Sequence, residues 1–397
     1  MFLLRLKKEF HKLSQKFSDR YKKHEAKIAR LEEKLDKQAR KNKELHAWIN
    51  GSPIASSDNA GSDDSAKSKF RQPLPHPDAL SLLINEWEVM RLNFKTLGYE
   101  MARHLVNDVM ARVDYSHEPQ VYNLPSKPTT QADVESAWFA FWCHELKIAP
   151  LYHRKLWEYA FVLQSLWEEG LITSGKTALG FGCGTEPLPS YFASKGIKVV
   201  ATDLAPEKSD GLGWTTTNQH TTDLEAILKP ELCDRETFLQ MTTLEYVDMN
   251  DIPTTLHEQY DFVWSICALE HLGSIANGLR FIEESVKCLK PGGVAIHTTE
   301  YNYQGTDQTL DHGGTVLFLR KHFEEIAARL QAIGCELTMD FDIGTGVLDR
   351  FIDLPPYHTE SGEGSGLHNG ASLGLSHLKM TVLGTPSTCY GLRIKRG

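Results

Sequence analysis

Ala178-Leu-Gly-Phe-Gly-Cys-Gly-Thr-Glu186, followed by Val199-Val-Ala-Thr-Asp203, decides how the rest of the chain reads. Thr177 to Phe181 is short and apolar, as a buried strand is, and glycines at 180, 182 and 184 let the backbone approach a ligand where a Cβ would collide. A G-x-G-x-G run alone is a weak signal. Asp203 strengthens it: it lies 19 residues past Gly184, at the tip of the next apolar run, where a carboxylate accepts the two hydroxyls of a bound ribose. That spacing serves a dinucleotide as well.

Further along, EYVDMNDIP (245–253) gives an acidic turn after a third strand and YDFVWSICALEHL (260–272) a fourth strand with an acidic and imidazole tip. CLKPGGVAIHTTE (288–300) supplies a fifth, with PGG at 291–293 as the turn before it and His297 as a core histidine. Strand candidates at 177–181, 198–202, 260–265 and 294–299 alternate with helical patterns, so the expected fold is α/β with a doubly wound, mainly parallel sheet. HLKMTVLG and CYGLRIKR near the C-terminus read as a closing hairpin.

These five elements, over roughly residues 170–340, resemble the class I S-adenosylmethionine-dependent methyltransferases, whose fold is Rossmann-like. The resemblance implies a cofactor site of Gly180, Gly182 and Gly184, the last two beneath the methionine portion, with Asp203 on the ribose and Asp248 with Met249 beside the adenine. The acidic residue usual two positions before the first motif glycine is Gly180 here, so its contact must come from elsewhere, with Glu186 or the preceding helices as candidates.

Methyl transfer to a hydroxyl needs an oxygen that is losing its proton, which calls for a general base or a metal. Glu270 and His271 stand together after the fourth strand, Glu300-Tyr-Asn302 follows the fifth, and Asp311-His312 lies in the next loop. These segments are similar to those of the metal-dependent terminal-ribose methyltransferases of small RNAs. That likeness implies Glu270, His271 and His312 as ligands of a divalent metal, Mg2+ or a softer ion, since Cys267 replaces the first glutamate of the pattern. The alternative is His271 as a metal-free base. Residues 150–397 as a whole also look like methyltransferases of bacterial polysaccharide and glycan assembly. On the acceptor side the candidates are Arg154, Glu300, Asn302, Asp311, Asp349, Asp353 and Tyr357.

Four segments follow: a basic coiled coil (1–49), a flexible linker (50–77), a helical cap or lid (78–169), and the methyltransferase domain with an acceptor-side extension (170–397). The first rests on a heptad seam of Phe10, Leu13, Phe17, Tyr21, His24, Ile28, Leu31, Leu35, Gln38, Asn42 and Leu45, and implies a homo-oligomer. The linker is Ser-, Gly- and Pro-rich with almost nothing apolar to bury. In the cap, Leu80, Leu83, Ile84, Trp87, Met90, Leu92, Phe94 and Leu97 read as helical, Trp138, Trp142, Trp157 and Trp167 as core, and LYHRKLWE (151–158) as a lid over the site.

Charge narrows the partners. Of the 397 residues, 1–48 hold 15 Lys/Arg against 7 Asp/Glu, whereas the rest carries a net charge of −17, which disfavours a long nucleic acid and fits a glycan or sugar acceptor. The basic segment also suits weak contact with an anionic membrane surface. No membrane-spanning run or secretory signal is present, and the seven cysteines never form CxxC, so the expected setting is the cytoplasm, with the inner membrane face as a peripheral alternative. The resulting expectation is an O-methyltransferase acting on a sugar hydroxyl of a glycan. Its rivals are a ribose 2′-O-methyltransferase of RNA and a cofactor-binding scaffold without catalysis.

Overall fold

The computed structural model describes residues 79–113, 119–205, 223–305, 307–355, 357 and 376–397. The coiled coil and the linker expected over 1–77 lie outside these residues, as do all of the Gly/Ser-rich residues 361–374.

A long helix, α1 (Ala79–Asp108), is followed by α2 (Ala137–Glu145) and α3 (Arg154–Glu168). Alternation then begins with β1 (Thr177–Phe181), α4 (Leu188–Ser194), β2 (Lys198–Asp203), α5 (Arg235–Met241) and β3 (Thr242–Tyr246). It continues through β4 (Tyr260–Ile266), α6 (Ile275–Lys287), β5 (Leu289–Tyr301) and α7 (Arg320–Ala332). The hairpin β6 (Lys379–Val382) and β7 (Thr385–Arg396) closes the chain.

The strands stand in the order β3-β2-β1-β4-β5-β7-β6. The first five are mutually parallel and β7 is antiparallel to both neighbours. Between β1 and β4 the winding direction reverses, and in such sheets a ligand binds beyond the carboxyl ends of the strands at that reversal. Asp261 fastens the opposite ends of the same two strands: its Oδ2 accepts the Thr177 backbone N–H at 2.9 Å and lies 2.8 Å from Lys290 Nζ.

Buried apolar residues explain these elements. β1 and β4 are covered on both faces, and α6 turns Leu279, Ile282 and Val286 onto the sheet while Ser274 caps its start by accepting from the Asn277 N–H. His297 is buried as expected, held between the Ser265 and Ser285 hydroxyls at 2.8 and 2.9 Å, and burial pushes its imidazole down to about 3.

The structure alters one sequence expectation and adds detail to two others. The PGG at 291–293 lies inside β5, where the register to β4 shifts between Tyr260 and Phe262. A Cβ on Gly293 would come 2.9 Å from the Asp261 carbonyl, so the bend hugs β4 instead of preceding a strand. LYHRKLWE is largely core: Leu151, Tyr152, Leu156, Trp157 and Glu158 are buried, and the segment leads into α3. Trp138, Trp142 and Trp157 are core, but the apolar pattern that marked α1 is mostly exposed.

Candidate functional site

At the reversal point, β1 runs into a bend whose Gly182 and Gly184 have φ of +61° and +51°, a conformation glycine adopts without strain. A Cβ on Gly182 would sit 3.0 Å from Ala268 Cβ and 3.6 Å from Met249 Sδ, so the bend, the start of the β4 loop and Met249 enclose one space. Asp203 ends β2, buried, with Oδ1 accepting the Leu204 N–H at 2.8 Å. Half-buried Asp248 accepts the Asn250 N–H at 3.0 Å and precedes buried Met249. A glycine cradle, a carboxylate at the neighbouring strand tip and an apolar methionine suit a nucleoside cofactor.

Gly180 differs from the other two. A Cβ there would lie 2.4 Å from Cys183 Sγ and 2.4 Å from the Trp264 ring, so packing requires this glycine. The Trp264 indole N–H donates to Glu186 Oε1 at 2.5 Å. Burial, reinforced by neighbouring Glu158 and Asp203, pushes the Glu186 carboxyl up to about 8. The indole thus takes the space an acidic side chain at position 180 would need.

Beyond β4 the backbone turns at Cys267, whose φ of +48° is unusual for a residue with a Cβ. Its thiol donates to Glu158 Oε2 at 2.9 Å, and burial raises the thiol well above its ordinary range. Glu158 is fully buried and also accepts from the Thr298 hydroxyl at 2.6 Å, with Lys155 Nζ at 3.6 Å. The Arg154 guanidinium links the carboxylates: Nη1 donates to Cys267 Sγ at 3.1 Å and to Glu158 Oε1 at 3.3 Å, and Nη2 lies 2.6 Å from Glu300 Oε1. The other Glu300 oxygen accepts from the Ser387 hydroxyl at 2.5 Å. Buried Glu270 accepts from the Thr299 hydroxyl at 3.2 Å, and desolvation raises its carboxyl.

His271 stands 24% exposed at the edge of this network, with Nε2 at 4.0 Å from Glu270 Oε1. Its Nδ1 is 2.8 Å from the Gly314 carbonyl. A carbonyl only accepts, so Nδ1 carries a proton. His312 goes elsewhere: it pairs with Asp311 at 3.0 Å, and their side chains are 78% and 68% exposed.

Among the described residues, two groups bring three ligand atoms within 4.8 Å of one another: Glu158, Cys267 and Cys389, and Cys267, Glu270 and Glu300. Neither contains His271 or His312, so the expected set of Glu270, His271 and His312 does not assemble in this form. A divalent ion does not fit the groups that do assemble, because the Arg154 guanidinium already bridges Cys267, Glu158 and Glu300 and a second cation there would be repelled.

The acceptor-side candidates divide. Arg154 and Glu300 meet in the network above. Asp353 and Tyr357 form a neighbouring cluster: Asp353 holds Lys95 Nζ at 2.7 Å and His377 Nδ1 at 2.8 Å, and the Tyr357 ring packs against His377 at 4.9 Å. The two clusters touch through His153, whose ring lies 5.0 Å from that of His377 and which precedes Arg154. Asn302 instead accepts the Gly305 N–H at 2.8 Å and shapes its own loop. Asp349 accepts the Gln131 and Gly346 N–H groups at 2.8 and 3.0 Å, a structural duty, and Asp311 stays on the surface. Sequence reasoning missed Glu158 and His377. Glu158 had a signal, standing four residues after Arg154 on the same helix face; His377 had none, because only strand pairing brings it to Asp353.

Residues 154–338 match a family model described as a methyltransferase domain. No curated protein matches the chain. Among solved structures it is similar to phosphoethanolamine N-methyltransferase 2 of Haemonchus contortus in complex with S-adenosyl-L-methionine, at 17% identity over 59% of this chain and 51% of that one, TM-score 0.36. It is also similar to an S-adenosylmethionine-dependent methyltransferase of Mesorhizobium loti, at 14% identity over 60% and 98%, TM-score 0.34. A third is a SAM-dependent methyltransferase of Aquifex aeolicus, at 15% identity over 59% and 89%, TM-score 0.30. The family match and the strand order give residues 154–338 the Rossmann-like fold of a methyltransferase domain.

Proposed function

We propose that this methyltransferase domain moves the methyl group of S-adenosylmethionine onto a hydroxyl oxygen of a sugar, in a glycan or its precursor, with His271 as the general base and without a metal. The cofactor supplies the electrophilic methyl when bound. The Gly182 and Gly184 bend receives its methionine portion, Asp203 its ribose, and Asp248 with Met249 flank its adenine. His271 Nε2 takes the hydroxyl proton, oriented by the Nδ1–H donated to the Gly314 carbonyl. Glu270 beside it stabilises the imidazolium once the proton has moved.

The observation that carries this reading is the Arg154 guanidinium among Cys267, Glu158 and Glu300. It neutralises the buried carboxylates where a metal would otherwise be needed, and leaves the His271 imidazole as the base at this edge. Asp353, Tyr357 and His377 offer the mixture of carboxylate and ring faces that sugar hydroxyls and C–H groups use.

The test is mass spectrometry of candidate glycans after incubation with methyl-labelled S-adenosylmethionine, with and without EDTA. Label in an O-methyl sugar at equal rates with and without chelator, lost in His271→Asn, is the expected result. Transfer to the terminal ribose of short RNA but not to any sugar, or transfer abolished by EDTA, would overturn it.

A further inference from the structure

The exposed face of α1 calls for a partner. Leu83, Trp87, Met90, Phe94 and Leu97 are 63, 54, 48, 58 and 62% exposed, and they follow one another in steps of four, three, four and three residues. That is the seam spacing of paired helices. The helix meets the rest of the fold along a different stripe: Lys95, Gly98 and Ala102 are buried, and a Cβ on Gly98 would strike the Phe351 ring at 2.0 Å. Phe94 and Leu97 each precede a residue of that buried stripe by one position, so the seam lies about 100° around the helix from it.

We propose that this seam pairs with the α1 seam of a second copy of the chain, making the protein a dimer. Aromatic side chains offer about 150–250 Å² each and Leu and Met somewhat less, so at these exposures the stripe presents on the order of 500 Å². That is large for a monomer surface. Two such stripes face to face bury on the order of 1,000 Å², which reaches the lower bound for a biological interface. Charge does not oppose self-pairing: α1 carries Glu86, Glu88, Glu100 and Asp108 against Arg91, Lys95 and Arg103. The strongly basic segment before residue 49, by contrast, would meet a helix whose charges nearly balance. The inference does not depend on the acceptor or on the chemistry proposed above.

Sedimentation equilibrium of the full chain tests it. The wild-type chain sediments at twice the chain mass. Trp87→Glu with Phe94→Glu, both at exposed positions, weakens the dimer at least about 100-fold, as the loss of two aromatic anchors does, and leaves the far-ultraviolet circular dichroism unchanged. Leu31→Glu with Leu35→Glu, in the separate N-terminal seam, keeps the dimer. A monomeric wild type, a dimer that survives W87E/F94E, or one lost only on changing Leu31 and Leu35 would overturn the proposal.

Discussion

Arg154 Nη2 stands 2.6 Å from Glu300 Oε1 while Nη1 of the same guanidinium reaches Cys267 and Glu158, so one side chain from α3 joins the ends of β4 and β5. Removing a partner from such a buried set leaves carboxylates without a cation. Arg154→Met therefore destabilises the fold by about 3–5 kcal/mol, read from urea unfolding. Arg154→Lys recovers only part of that loss, because an ammonium cannot span both carboxylates with a planar fork. A variant within about 1 kcal/mol of wild type would show that the network is solvated, with charges worth no more than surface pairs.

Glu186 makes stability depend on pH in a direction opposite to that of most carboxylates. Burial raises its native carboxyl to about 8, whereas in the unfolded chain it loses its proton near the ordinary glutamate value of about 4.3. Between those values the native state binds a proton that the unfolded state does not, so this group's contribution falls as pH rises. Glu186→Gln removes the slope: relative to wild type, the variant gains stability steadily from pH 5 to pH 8.5. Parallel stability curves for the two proteins would refute the assignment.

Restoring an acidic residue at position 180 fails for a steric reason. A side chain there runs into Trp264 and Cys183, so Gly180→Asp costs several kcal/mol, of the order seen for overpacked cores or more. Trp264→Ala opens the space, and the double variant is more stable than the sum of the single effects predicts, as a double-mutant cycle in urea reports.

If Arg154 does the work of a cation, metals have little to bind. The purified protein carries less than stoichiometric zinc by elemental analysis, and millimolar Mg2+ or Zn2+ leaves its melting midpoint unchanged. A midpoint that climbs with metal concentration, as ligand linkage requires, would restore the metal reading.

Much of the sheet was legible because its signals are local. Thr177–Phe181 is a strand as read, with Gly182 and Gly184 in the bend that follows, and the β6–β7 hairpin turns at Leu383-Gly384, both residues at positive φ. The acceptor side was less legible. His312 stood at a suggestive interval, but its loop meets the β4 loop through the backbone of Ser274, and its side chain points to solvent beside Asp311. His377 reaches the site through tertiary packing, which residue spacing does not report. The apolar period of α1 identified a helix correctly, yet periodicity gives no hint of whether a stripe faces a core or water.

Isothermal titration of the full chain with S-adenosylmethionine tests the central claim most directly. The account predicts saturable binding at one site per chain, weakened at least about tenfold in Asp203→Ala and in Gly182→Val without loss of the fold. No heat of binding in the wild-type chain, or binding that neither substitution disturbs, would contradict it.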